Sequence, residues 1–129
     1  MAIIFLIGRI IFGCYFINSG YSHFKNVGHM AGYAASKKVP APKLAIIGSG
    51  ILLFIGGLSM LLGIAPWIGV IALVLFLVPV SFKMHDYWNE TDPGARMNSR
   101  IGFYKNMALI GALLMIVMIA QPWTYSLAL

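Results

Sequence analysis

Acidic residues are almost missing from this chain. Asp86, Glu90 and Asp92 are the only three among 129 residues, and they fall within one short segment. A relay of buried carboxylates, the usual apparatus of a proton pump, has nowhere to be built. Charge of either sign is scarce. Charged residues make up 9% of the chain, where a soluble domain carries roughly a quarter. Cysteine is scarcer still. The single Cys14 excludes an internal disulfide and a Cys-x-x-Cys pair, and with them a thiol-exchange enzyme. The three histidines form no His-x-x-x-His pair and have no carboxylate cluster beside them, so no metal site is expected. Residues 1–8 hold no basic stretch, and no small-residue cleavage site follows them, so a removed signal peptide is not expected. Ile11-Phe12-Gly13-Cys14 is a poor lipidation box, because Phe12 is too large and Arg9 interrupts the apolar run.

What the chain has is apolar length. Hydrophobic residues are 60% of it and the mean hydropathy is +0.89. Four apolar blocks cover residues 2–22, 44–62, 66–83 and 101–120. A helix needs about 20 such residues to cross a hydrocarbon core of roughly 30 Å. Helices satisfy their own backbone in lipid. A β-barrel would show short alternating strands, and residues 71–78 do not alternate. The expectation is an all-α membrane protein: one domain over residues 1–129, built as a four-helix transmembrane bundle.

Loop charge orients the bundle. Residues 23–43 carry Lys25, Lys37, Lys38 and Lys43, and residues 83–100 carry Lys83, Arg96 and Arg100. Both loops fall on one side, while the tight turn Gly63-Ile64-Ala65 on the other is uncharged. Excess Lys and Arg marks the cytoplasmic side, so both termini are expected on the non-cytoplasmic side of the inner (plasma) membrane. Pro66-Trp67 and Pro122-Trp123 would then lie together at the outer interface, with Tyr87 and Trp88 at the inner one. The net charge of +6 reads as topology and contact with anionic lipid, with no nucleic-acid partner.

Several polar residues do not belong in lipid. Arg9 is the most costly, at about 2.5–3.5 kcal/mol on insertion scales. Helical spacing puts Arg9, Gly13, Phe16, Gly20 and His23 on one face, where the glycines admit a close neighbour. Arg9 then either contacts a ligand or serves structure, by packing or by snorkelling outward. Asn18 lies on the opposite face with Ser22, as interhelical glue or as a pocket wall. Lys83, His85 and Asp86 end the third span, Lys105 and Asn106 open the fourth, and His23 closes the first. All meet at one bundle end. Asp86 is expected to pair with Lys83 at i, i+3 or with Lys105 across helices. The group is either an ion-pair network or a polar pocket for a head group. His23 and His85 at one level could ligate a haem, but no second signal supports it, and His29 is expected in a solvated loop. Pro79 interrupts the third span, Thr91-Asp92-Pro93-Gly94 is a turn signal, and Ser99 is the expected cap of the last helix. Residues 28–38 suit a short helix on the inner leaflet, with Met30, Ala31, Tyr33 and Ala34 on its apolar side.

Taken in order, five stretches resemble the DoxX family of small four-helix membrane proteins. They are Gly8-Arg9-Ile10-Ile11-Phe12-Gly13, Asn18-Ser19-Gly20-Tyr21-Ser22-His23-Phe24, residues 33–42, His85-Asp86-Tyr87-Trp88 and residues 103–109. In that family a glycine often stands where this chain has Lys38. The resemblance implies an inner-membrane protein, with Arg9, Asn18, His85, Asp86, Lys105 and Asn106 at matching polar positions. It also implies association with a quinone-linked oxidoreductase; without redox-active cysteines or an expected haem or metal site, this chain would be an auxiliary subunit there, with quinone as a contacted molecule.

Three functions remain open on the residues alone. The first is that auxiliary redox subunit. The second is a transporter or lipid-handling protein, motivated by Arg9 and the inner polar cluster, which would need a homo-oligomer. The third is an assembly scaffold, with Gly48, Gly50, Gly56 and Gly57 giving close helix contacts.

Overall fold

The computed structural model describes residues 1–127, which are mostly helical with no strand among them. Helix α1 spans Ala2–Lys25, α2 Val27–Ser36, α3 Pro42–Leu62, α4 Pro66–Met84 and α5 Pro93–Ile116, with a 3-10 turn at Tyr87–Asn89. α1, α3 and α4 begin at or within a few residues of the expected starts and are long and apolar enough to cross a membrane. α1 runs on to Lys25 because His23 and Lys25 in its last turn suit the negative helix end.

α5 departs from expectation at both ends. It starts at Pro93, not at residue 101, and ends at Ile116, not at residue 120. The Asp92 carboxylate accepts from the Ala95 N–H at 2.9 Å, and Pro93 needs no donor in the first turn. The expected turn at 91–94 is thus a helix start. Ser99, expected as the cap, lies buried inside the helix. The early start brings Arg96 and Arg100 into α5, and this helix is not among those apolar and long enough to cross.

α1 packs along α3, α3 on α4 and α4 on α5, while α2 lies against α3 at one end. The face of α1 that is buried consists of Arg9, Gly13, Phe16, Gly20 and His23, the set given by helical spacing. Its glycines make the α1–α3 contact. A Cβ on Gly13 would lie 2.8 Å from the Gly57 carbonyl, and one on Gly57 the same distance from the Gly13 carbonyl. Gly50 meets His23 and Phe24, and Gly56 receives Leu73 of α4. The glycines expected to serve a scaffold face are therefore consumed inside the chain. Gly48 alone among them meets open space. Phe16, Leu53, Met60, Leu73, Leu77 and Leu113 fill the core between the helices.

Gly63 ends α3 with φ 72°, the left-handed geometry glycine adopts freely. Lys38 sits at φ 62° in the α2–α3 connection, a left-handed conformation that glycine adopts more freely. The two Pro-Trp pairs part company. Trp67 is 53% exposed, as an interfacial residue would be, but Trp123 is only 4% exposed and joins the core.

Candidate functional site

Arg9 closes one end of the molecule. Its Nε donates to the Met60 carbonyl at 3.2 Å and its Nη2 to the Leu61 carbonyl at 2.9 Å. These are two of the carbonyls that the end of α3 leaves without helical partners. Nη1 donates to the Thr124 carbonyl at 2.6 Å and Nη2 to that of Tyr125 at 3.3 Å. The Leu127 N–H completes the set by donating to the Leu62 carbonyl. The guanidinium also lies between the rings of Phe5 and Trp123, 5.7 and 5.6 Å from their centroids. Arg9 is 4% exposed. It does not snorkel; it ties the last residues of the chain to α3.

The opposite end holds a cavity of about 640 Å³. His23 from α1, Lys83 from α4, His85 just beyond α4, and Lys105 and Asn106 from α5 line it together. Arg9, Asn18 and Asp86 do not. Asn18 is exposed on the outer face of α1. The rest of the lining is largely apolar and aromatic, with Tyr15, Phe16, Leu52, Leu75 and Phe76 among it. α2 covers one side through Met30, Tyr33 and His29. His29 is thus on a helix facing the cavity, not in a loop, because the 28–38 segment folds as the amphipathic helix its pattern predicts.

Each polar wall residue is held differently. His23 Nδ1 lies 2.9 Å from Ser49 Oγ and 3.4 Å from the Ile46 carbonyl. The Ser49 hydroxyl itself donates to Ile46 at 2.9 Å. A carbonyl only accepts, so the pattern assigns the ring proton to Nδ1 and leaves Nε2 as an acceptor. Phe76 packs its ring edge-on to His23 at 5.5 Å. His85 rests on the α5 backbone, where a Cβ on Gly102 would come 2.6 Å from its Nδ1. Lys105 Nζ sits 5.8 Å over the Tyr15 ring. Asn106 is 4% exposed and turns to the cavity; among the described residues the buried side-chain polar atom without a hydrogen-bond partner is Trp123 Nε1, at the other end.

Asp86 takes neither expected partner. α4 ends at Met84, so Lys83 and Asp86 no longer share a helix face. Asp86 instead accepts from Lys37 Nζ at 2.8 Å, and Glu90 accepts from the same ammonium. The Tyr33 hydroxyl adds a bond to the Met84 carbonyl at 3.3 Å. These contacts fasten the end of α2 to the turn after α4. They also hold the Lys37 ammonium above the ordinary lysine range, chiefly through its bond to Asp86 and then that to Glu90.

The sequence pattern of DoxX matches residues 4–86, more than half the chain. The chain belongs to the DoxX family. The matched DoxX segment contains Arg9 with its α3 partners, and His23, Lys83 and His85 of the cavity. Lys105 and Asn106 come from α5, beyond the matched segment. No curated protein matches the chain, and no solved structure matches it either. The DoxX membership together with the apolar helices makes this an integral membrane protein. Sequence reasoning missed Tyr15, Ser49 and Lys37. A small-residue run, Gly48-Ser49-Gly50, hinted at Ser49, but nothing local tied Lys37 to Asp86 and Glu90.

Proposed function

We propose that this DoxX protein is a four-span, multi-pass protein of the inner membrane. It serves there as an auxiliary subunit of a quinone-linked redox complex. Its two basic loops face the cytoplasm and its termini face outward, with α5 as the fourth span. The observation that carries the proposal is the cavity: an apolar, aromatic slot whose polar groups converge at one end of the bundle.

Its residues suit a quinone head group. The Asn106 amide and the Lys83 and Lys105 ammonium groups are donors for ring carbonyls, and His23 Nε2 is an acceptor for a ring hydroxyl. Phe16 and Phe76 supply flat apolar walls. A bound quinone supplies the two-electron carrier chemistry. The chain binds and orients it while a partner subunit exchanges the electrons. The lone Cys14, exposed on α1, offers no dithiol for that exchange.

Solvent extraction of the gently purified protein tests this reading. Near-stoichiometric quinone, lost in Asn106→Leu, is the expected result. Protein that carries no quinone and copurifies with no redox subunit would overturn it.

A further inference from the structure

The acids of this chain are all accounted for elsewhere. Asp86 and Glu90 both pair with Lys37, and Asp92 caps α5. Among the described residues the cavity is therefore lined by no carboxylate, although Lys83, Lys105 and all three histidines reach it. Neither of its lysines has a salt-bridge partner among the described residues. Asn106 adds a neutral amide to the same wall. Positive charge without counter-charge, at the end of an apolar slot, is complementary to an anion carried on a hydrocarbon chain.

We infer that the cavity selects amphiphiles whose head group bears a negatively charged oxygen, over neutral ones of the same length. The shared chemistry is a carboxylate or phosphate head with one acyl or alkyl tail. Lys83 and Lys105 hold the charge, Asn106 donates to a head-group oxygen, and the aromatic wall takes the first carbons of the tail. The inference goes beyond the redox reading and does not depend on it. A quinone found with the protein leaves the charge preference open to its own test, and a missing quinone does the same.

The experiment uses the full chain in nanodiscs of zwitterionic phosphatidylcholine. Binding of laurate, of 1-dodecanol and of a lauroyl lysophosphatidate is measured by calorimetry. Laurate is expected to bind at least about tenfold more tightly than dodecanol, the gap between charge-assisted and neutral hydrogen bonds. Lysophosphatidate competing with laurate identifies a lipid phosphate as a source. Laurate alone binding identifies a free carboxylate. The double variant Lys83→Gln, Lys105→Gln should lose most of the preference, bringing laurate binding to within a few-fold of dodecanol binding. Both lysines are exposed on the cavity wall, away from the core. Equal binding of laurate and dodecanol by the unaltered protein would overturn the inference without any variant. A preference that survives in the folded double variant would overturn it too.

Discussion

The Arg9 guanidinium lies 5.6 Å over the Trp123 ring and donates to the neighbouring Thr124 carbonyl, joining parts of the chain 115 residues apart. One cation thus does three things. It completes the end of α3, anchors the C-terminal segment and fills the space beside Phe5. Of the two roles open to Arg9 in the sequence, these contacts with the protein's own backbone and rings are the structural one.

Replacing Arg9 tests that arrangement. Arg9→Ala leaves four carbonyls without their donor and is expected to cost about 3 kcal/mol. Arg9→Lys recovers only part, because an ammonium lacks the planar fork that reaches two chain segments. Thermal unfolding in detergent measures both. Retained laurate or quinone binding in the folded lysine variant confirms that the clamp and the cavity are separate.

The α1–α3 contact is set by Gly57. Its missing side chain would sit 2.8 Å from the Gly13 carbonyl, so Gly57→Leu is expected to cost about 1–3 kcal/mol or to block folding. Gly48 faces open space, and Gly48→Ala should leave the melting temperature unchanged. A similar loss in both variants would remove the special place of Gly57.

Lys37 acts as a latch on α2. Lys37→Ala should speed amide hydrogen exchange over residues 27–36 while leaving α3 protected. The pH dependence follows from the raised ammonium. A base whose folded-state pKa lies above its unfolded value contributes fully below that unfolded value and loses the contribution as pH rises through the folded one. Exchange in α2 should therefore not respond to Lys37 titration between about pH 6 and 9, and should rise only in strongly alkaline solution. A change centred near neutrality would show that another group holds the latch.

Asp92, not Ser99, starts α5. Asp92→Ala is expected to cost about 0.5–2 kcal/mol and to fray residues 93–98 in exchange measurements. Ser99→Ala should leave that end intact. Fraying on loss of Ser99 would restore the later start.

Orientation is open to chemical labelling. With Cys14 changed to Ala, single cysteines at Lys38 and at Asn98 should react with an impermeant maleimide only after the cytoplasmic side is exposed. A cysteine at Trp67 should react from the outside. The opposite pattern would invert the proposed topology.

How much of this was legible in the sequence depends on the range of the interaction. Helix spacing along α1 alone gave its buried face, since a 3.6-residue period needs no partner to be read. The apolar blocks gave α1, α3 and α4 within a few residues at each end. The start of α5 was misread because Asp92 and Ser99 are both good capping residues, and only the Ala95 bond distinguishes them. The pairings of Asp86 failed for a similar reason. They assumed α4 continued, whereas it stops at Met84 and turns Asp86 toward a lysine from another connection.

Composition and hydropathy by themselves determined that this chain is helical and built for lipid, because scarce charge and long apolar runs leave the backbone no other way to satisfy its hydrogen bonds. The order of the spans also brought His23, Lys83, His85, Lys105 and Asn106 to one end. Only the tertiary structure decided what each end does. Arg9 and Asn106 are each only 4% exposed, yet one is bound to four backbone carbonyls and the other lines the cavity. That difference lies in which distant carbonyls happen to come within about 3 Å, a property of the packed helices and not of any stretch of sequence.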